Sequence, residues 1–134
     1  MQFELSDDLR TGIEEIDSQL RELFSRVEQL NLAARRGRLQ PASDMLVYLE
    51  GYASKHFSTE ERYMEAAGYE NLAAHRAAHR AFATELRARK DEFASSGSLA
   101  SLMVSLSDWM AVWLEVHVRE VDRAMAIHVR FPPR

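Results

Sequence analysis

Four of the five histidines in this 134-residue chain, with two carboxylates, fall at spacings that place them on shared helix faces: His56 with Glu60, His75 with His79, and His117 with Asp122. Residues four apart in an α-helix stand one turn above each other, so the first two pairs each present two donors from one face. The third pair is five apart, which turns Asp122 off the histidine's line and asks it to reach in sideways, as a bridging carboxylate does. Imidazole and carboxylate together make a nitrogen–oxygen cage suited to iron, zinc or manganese. Sulfur takes no part. The chain has no cysteine, which also excludes disulfides, thiolate metal sites, iron–sulfur clusters and cysteine nucleophiles. A lone histidine on an apolar stripe is ordinarily a hydrogen-bonded core residue, but six such groups converging from three helices are costly to bury without a metal. His128 is left over and reads as a surface residue.

The elements that must position these groups are visible in the apolar periodicity. After an arm of about a dozen residues, Ile13, Ile16, Leu20, Leu23, Val27 and Leu30 recur at alternating intervals of three and four, and Gly37 ends the helix they mark. Pro41 opens a second helix from its first turn, where a missing N–H does no harm; its stripe is Met45, Leu49, Tyr52, His56, Glu60, Tyr63, and Gly68 closes it. The third stripe is Leu72, His75, His79, Phe82, Leu86, ending at the breaker SSGS of 95–98. The fourth is Leu102, Leu106, Trp109, Trp113, His117, Val121, stopped by Pro132 and Pro133. Four such helices with short connections predict an all-α, antiparallel up-down-up-down four-helix bundle with an N-terminal arm, a single domain over 1–134. No strand pattern competes.

Charge narrows the partners. The formal net charge is -4, so neither nucleic acid nor an anionic membrane is expected, since phosphate binding needs a clustered positive face. The short basic run Arg35, Arg36, Arg38 reads as a solvated helix end whose cations complement the helix dipole. The start, MQFELSDDLR, is acidic and lacks an apolar segment, and no window has the length of a membrane span. The expected location is the cytoplasm.

Two familiar metal patterns are missing: no helix carries the Glu-x-x-His pairs of ferritin-like bundles, and there is no His-Glu-x-x-His. The stretches GIEEIDSQLRELF, HFSTEERYM, HRAAH and WLEVHVREVD instead resemble, in order, the four helix signatures of the bacterial hemerythrins, and the resemblance covers nearly the whole chain. It implies a non-haem di-iron site that binds oxygen, one iron held by three histidines and the other by two, with two bridging carboxylates. Position by position, the three-histidine iron would take His75, His79 and His117; Glu60 and Asp122 would bridge; His56 would serve the second iron. The family's remaining histidine follows the glutamine of an Ile-Asp-x-Gln-His pattern. Here that position is Leu20, which removes one nitrogen from the second iron. Gln19 and Glu22 flank it, but adjacent helical positions point about 100° away, so neither replaces it without distortion.

The resemblance also implies an oxygen pocket lined by Leu20, Leu23, Phe57, Trp113, Leu114 and Val118, an apolar wall that keeps water and protons from bound oxygen. Trp109 is assigned to packing. The expected function is oxygen binding, delivery or sensing, with dioxygen or another small ligand as partner and room for a signalling domain or partner protein. A rival reading is a peroxidase-, oxidase- or ferroxidase-like enzyme using an open iron position. A third is an interaction module that has lost its metal.

Overall fold

A computed structural model describes residues 5–95 and 100–131. Within them every regular element is helical: after a 3-10 turn at Asp7–Leu9, α1 spans Glu14–Arg35, α2 Leu39–Ala67, α3 Leu72–Ser95, α4 Ala100–His117 and α5 Arg123–Arg130. A π-helical turn, Val118–Asp122, joins α4 to α5, so that the last two form one interrupted fourth helix. The predicted four-helix bundle is what these elements build. Among the described residues, no helix is long and apolar enough to cross a membrane.

The helix ends follow from the two glycines that the sequence marks. Gly37 and Gly68 both adopt positive φ, 70° and 65°, a conformation that costs an L side chain but not glycine. At each, the following amide reaches back five residues, Arg38 N to Ala33 O at 2.9 Å and Tyr69 N to Met64 O at 3.0 Å. This is the Schellman arrangement that closes a helix by satisfying its last carbonyls. Pro41 lies in the first turn of α2, as expected. The SSGS breaker beyond Ser95 and the two C-terminal prolines lie outside the described residues.

One apolar core runs the length of the bundle, from Leu5 and Leu9 of the arm to Met125 of α5. The arm is pinned by Asp17: one carboxylate oxygen accepts from Thr11 N at 2.9 Å and Thr11 Oγ1 at 2.6 Å, the other from Gly12 N at 3.1 Å. α1 packs broadly on α2 and on α4, whereas α3 touches its neighbours more sparingly. The fourth stripe differs from its sequence reading. Its buried face carries Met103, Leu106, Ser107, Met110, Leu114 and His117, while Leu102, Trp109, Trp113 and Val121 are half-buried at its edge. Arg35 is also more than a solvated cation, since it reaches Asp108 of α4 at 3.3 Å.

Candidate metal centre

Each helix delivers its donors by local geometry. On α2, His56 Nε2 stands 3.4 Å from Glu60 Oε1, one turn on. On α3, His75 and His79 are likewise one turn apart, their ring centroids 4.6 Å from each other. On the fourth helix the expected sideways reach of Asp122 is corrected. Five residues of ideal α-helix would turn it about 140° from His117, but the π turn takes up the extra residue. Asp122 Oδ1 consequently lies 3.0 Å from His117 Nε2 and 3.0 Å from His75 Nε2. Glu60 Oε1 faces His79 Nε2 at 3.2 Å and His75 Nε2 at 3.9 Å.

Five residues thereby converge. One donor atom from each of Glu60, His75, His79, His117 and Asp122 lies within 4.8 Å of all the others, and all five residues are buried. His56 stands outside this set, touching it through Glu60. Contacts of about 3 Å match the separation of neighbouring ligands around an octahedral ion with bonds of about 2.1 Å. These atoms are not aligned as hydrogen-bonding pairs. Both oxygens of Glu60 and of Asp122, both nitrogens of His75, and Nε2 of His79 and of His117 lack a hydrogen-bond partner. An unsatisfied buried polar atom costs roughly 1–3 kcal/mol, so the seven that meet here, all but His75 Nδ1 on the other side of its ring, are a strong fit to a coordinated cation.

The electrostatics agree. Burial pushes His56 and His79 down to about 4, which keeps both imidazoles neutral, the form that can ligate. Burial, reinforced by the facing Asp122, raises the Glu60 carboxyl well above its usual range. Burial acts to raise Asp122 too, but the facing His117 and His75 imidazoles outweigh it and hold that carboxyl low. Two carboxylates at one buried point resist being charged together, a conflict that a divalent cation removes.

Around the donors, Phe57 stacks on His79 with centroids 3.9 Å apart, and Trp113 stacks on His117 at 4.4 Å. Leu20, Leu23, Phe57, Leu114 and Val118 are buried in the core, whereas Trp113 is half-buried. Leu20 is fully buried. Trp109 stacks on Phe82 at 5.2 Å, the packing role assigned to it. His128 is half-buried, not a surface residue: its Nε2 lies 3.3 Å from the Ala67 carbonyl and its ring packs on Tyr69.

The sequence reading did not find what orients the imidazoles. His79 Nδ1 lies 2.9 Å from Glu61 Oε2, and Glu61 is held in turn by Arg76 at 3.1 Å. His56 Nδ1 lies 2.9 Å from Gln19 Oε1. Glu61 follows Glu60 directly and Gln19 precedes Leu20, so adjacency to the donor positions was the only available signal.

Comparison with known proteins agrees with this geometry. The hemerythrin HHE cation binding domain matches residues 11–126. The chain is 29% identical over 124 residues to the bacteriohemerythrin of Stenotrophomonas maltophilia, covering 92% of this chain and 79% of that protein. Against the bacteriohemerythrin of Pseudomonas paraeruginosa the identity is 32% over 127 residues, with the same coverages of 92% and 79%. It is also 27% identical over 111 residues to myohemerythrin-1 of Phascolopsis gouldii, covering 79% of this chain and 86% of that protein. With the matched region running from the arm to α5 and enclosing all of the converging donors, the chain belongs to the hemerythrin family, whose members bind oxygen at non-haem iron.

Proposed function

We propose that this chain binds dioxygen or a comparably small ligand at an iron held by His75, His79, His117, Glu60 and Asp122, beside a second iron position that Leu20 leaves weak. The observation that carries this reading is the uneven convergence of the donors. Three imidazoles and two carboxylates meet at one point, whereas His56 stands apart with a leucine where a second imidazole would complete its position. Iron supplies the exchangeable coordination places and redox chemistry by which oxygen is held. The protein's own work is to keep His79 and His56 neutral by burial, to aim His79 through Glu61, and to wall the site with apolar side chains. Leu20, Leu23, Phe57, Trp113, Leu114 and Val118 serve as that wall, excluding water from the ligand. The interaction-module reading would leave the unpaired atoms of the cluster without a partner. The peroxidase- or oxidase-like reading draws on no separate residue.

Iron titration of the chain and of its Leu20→His variant, with visible spectra before and after exposure to oxygen, tests the proposal. The expected result is one tightly held iron and a second that is weak and readily lost, with Leu20→His retaining two irons and binding oxygen more reversibly. Identical stoichiometry, affinity and oxygen response in the two proteins would overturn the role given to Leu20.

A further inference from the structure

We propose that Gln19, itself fixed by Thr59, is a positioning residue that holds His56 in the tautomer protonated at Nδ1, so that Nε2 keeps its lone pair free for the second metal position. The use of that lone pair rests on the iron reading above; the orientation of the ring does not.

The argument is a count of donors and acceptors along one buried chain of hydrogen bonds. The Thr59 hydroxyl donates to the Lys55 carbonyl at 3.1 Å, which commits its only proton and leaves its lone pairs to accept. The Gln19 amide nitrogen donates to that hydroxyl oxygen at 3.1 Å. An amide has one nitrogen end and one oxygen end, so with the nitrogen turned to Thr59 the oxygen is turned to His56, 2.9 Å from Nδ1. A carbonyl oxygen only accepts. The proton of a neutral His56 must therefore sit on Nδ1, and Nε2 is bare. That atom faces Glu60 Oε1 across 3.4 Å. Gln19, Thr59 and His56 are 7%, 5% and 1% exposed, which leaves little room for water to take over any of these roles.

The same count says what a failure looks like. If the Gln19 amide turned over, its nitrogen would donate to Nδ1, the ring proton would move to Nε2, and the atom facing Glu60 could no longer ligate. Thr59 thus selects between a ligating and a non-ligating His56 from two hydrogen bonds away. The selection matters more here than in a position with two imidazoles, because with Leu20 in the adjacent place His56 is the only terminal nitrogen available. The sequence removes one donor with Leu20 and secures the other with Gln19.

Two-bond 1H–15N correlation NMR of the metal-free protein reads the tautomer directly, in the wild type and in Thr59→Val, Thr59→Ser, Gln19→Leu and Gln19→Glu. The wild type should show His56 protonated at Nδ1. Thr59→Val should admit the tautomer protonated at Nε2, whereas Thr59→Ser, which keeps the hydroxyl, and Gln19→Glu, whose carboxylate accepts from Nδ1, should hold the wild-type form. Iron titrations of the same proteins should show the second equivalent weakened about 10- to 100-fold in Thr59→Val and Gln19→Leu, with the first unchanged. A wild-type His56 protonated at Nε2, or an unaltered tautomer in Thr59→Val and Gln19→Leu alike, would overturn the proposal. The NMR result stands without metal, so failure of the iron reading would show separately, as absence of iron uptake by the wild type. Should Gln19→Leu not fold, the two Thr59 variants decide the matter, since Thr59→Val exchanges the hydroxyl for a methyl of similar size and Thr59→Ser keeps the hydroxyl while losing the methyl.

Discussion

His79 and His56 are oriented by different chemistry, and the difference bears on how each would hold a metal. A carboxylate, Glu61, faces Nδ1 of His79, and hydrogen bonding to a charged acceptor makes an imidazole a stronger ligand. His56 faces only a neutral amide. On the proposed reading, a second iron would thus be served by an imidazole aimed by a neutral amide and, with leucine at Leu20, by no imidazole from α1. His79 also touches Glu60 and lies within the converging set, while His128 only packs α5 against the end of α2. Replacing His79 with alanine should abolish tight iron binding, measured as iron per purified chain. His128→Ala should keep the wild-type stoichiometry and cost about 0.5–1.5 kcal/mol in urea unfolding, the usual worth of one hydrogen bond. Equal iron retention in the two variants would break the assignment of His79 to the site.

Among the helices, α3 depends most on the site it serves. Its buried side chains are His75, His79, Phe82 and Leu86, so half of what anchors it is imidazole, and the apolar half is one aromatic ring and one leucine. Phe82 packs edge-on to Phe57 at 5.5 Å and against Trp109 and Trp113 at 5.2 and 4.4 Å, which makes it the main apolar tie. Without a cation, the two histidines bring unpaired nitrogens into the core in place of favourable contacts, and regions with few buried apolar contacts open first. Hydrogen exchange of the metal-free protein should be faster in α3 than in α1, and iron should slow it in α3 by the larger factor. Protection spread evenly over all helices would show that α3 is held by packing alone. Phe82→Ala should destabilise the fold by about 3–5 kcal/mol, read by denaturant unfolding. The π turn is the other element shaped by the site, since without it the fourth helix could not bring both His117 and Asp122 to one point.

Over the whole molecule, what the sequence disclosed and what it hid have separate physical causes. The first three helices were legible because a three-four apolar rhythm and, for the first two, a glycine stop at positive φ are local signals, written within a few residues of where they act. The fourth was harder: α4 is so rich in apolar residues that several stripes fit it, and the true buried face runs through Met103 and Met110 instead of the tryptophans. The π turn left no mark of its own beyond the five-residue gap between His117 and Asp122. That six polar side chains lie on inward stripes was legible because buried imidazoles and carboxylates contradict a bundle core, but what orients them was not, since Gln19 and His56 are 37 residues apart and Gln19 and Thr59 are 40. The same contradiction sets the last prediction. A fold with its only unpaired buried side-chain atoms, among the described residues, gathered at one point is one whose stability is coupled to what occupies that point. A ligand that binds only the native state, at 100 times its dissociation constant, adds about 2.7 kcal/mol. For a chain of this size that is a rise of roughly 10 °C in melting temperature. Chelation of the iron-loaded protein should lower its Tm by that amount, and readdition of iron should restore it. A chelated chain that melts with the loaded one would mean that the buried donors are satisfied without a metal.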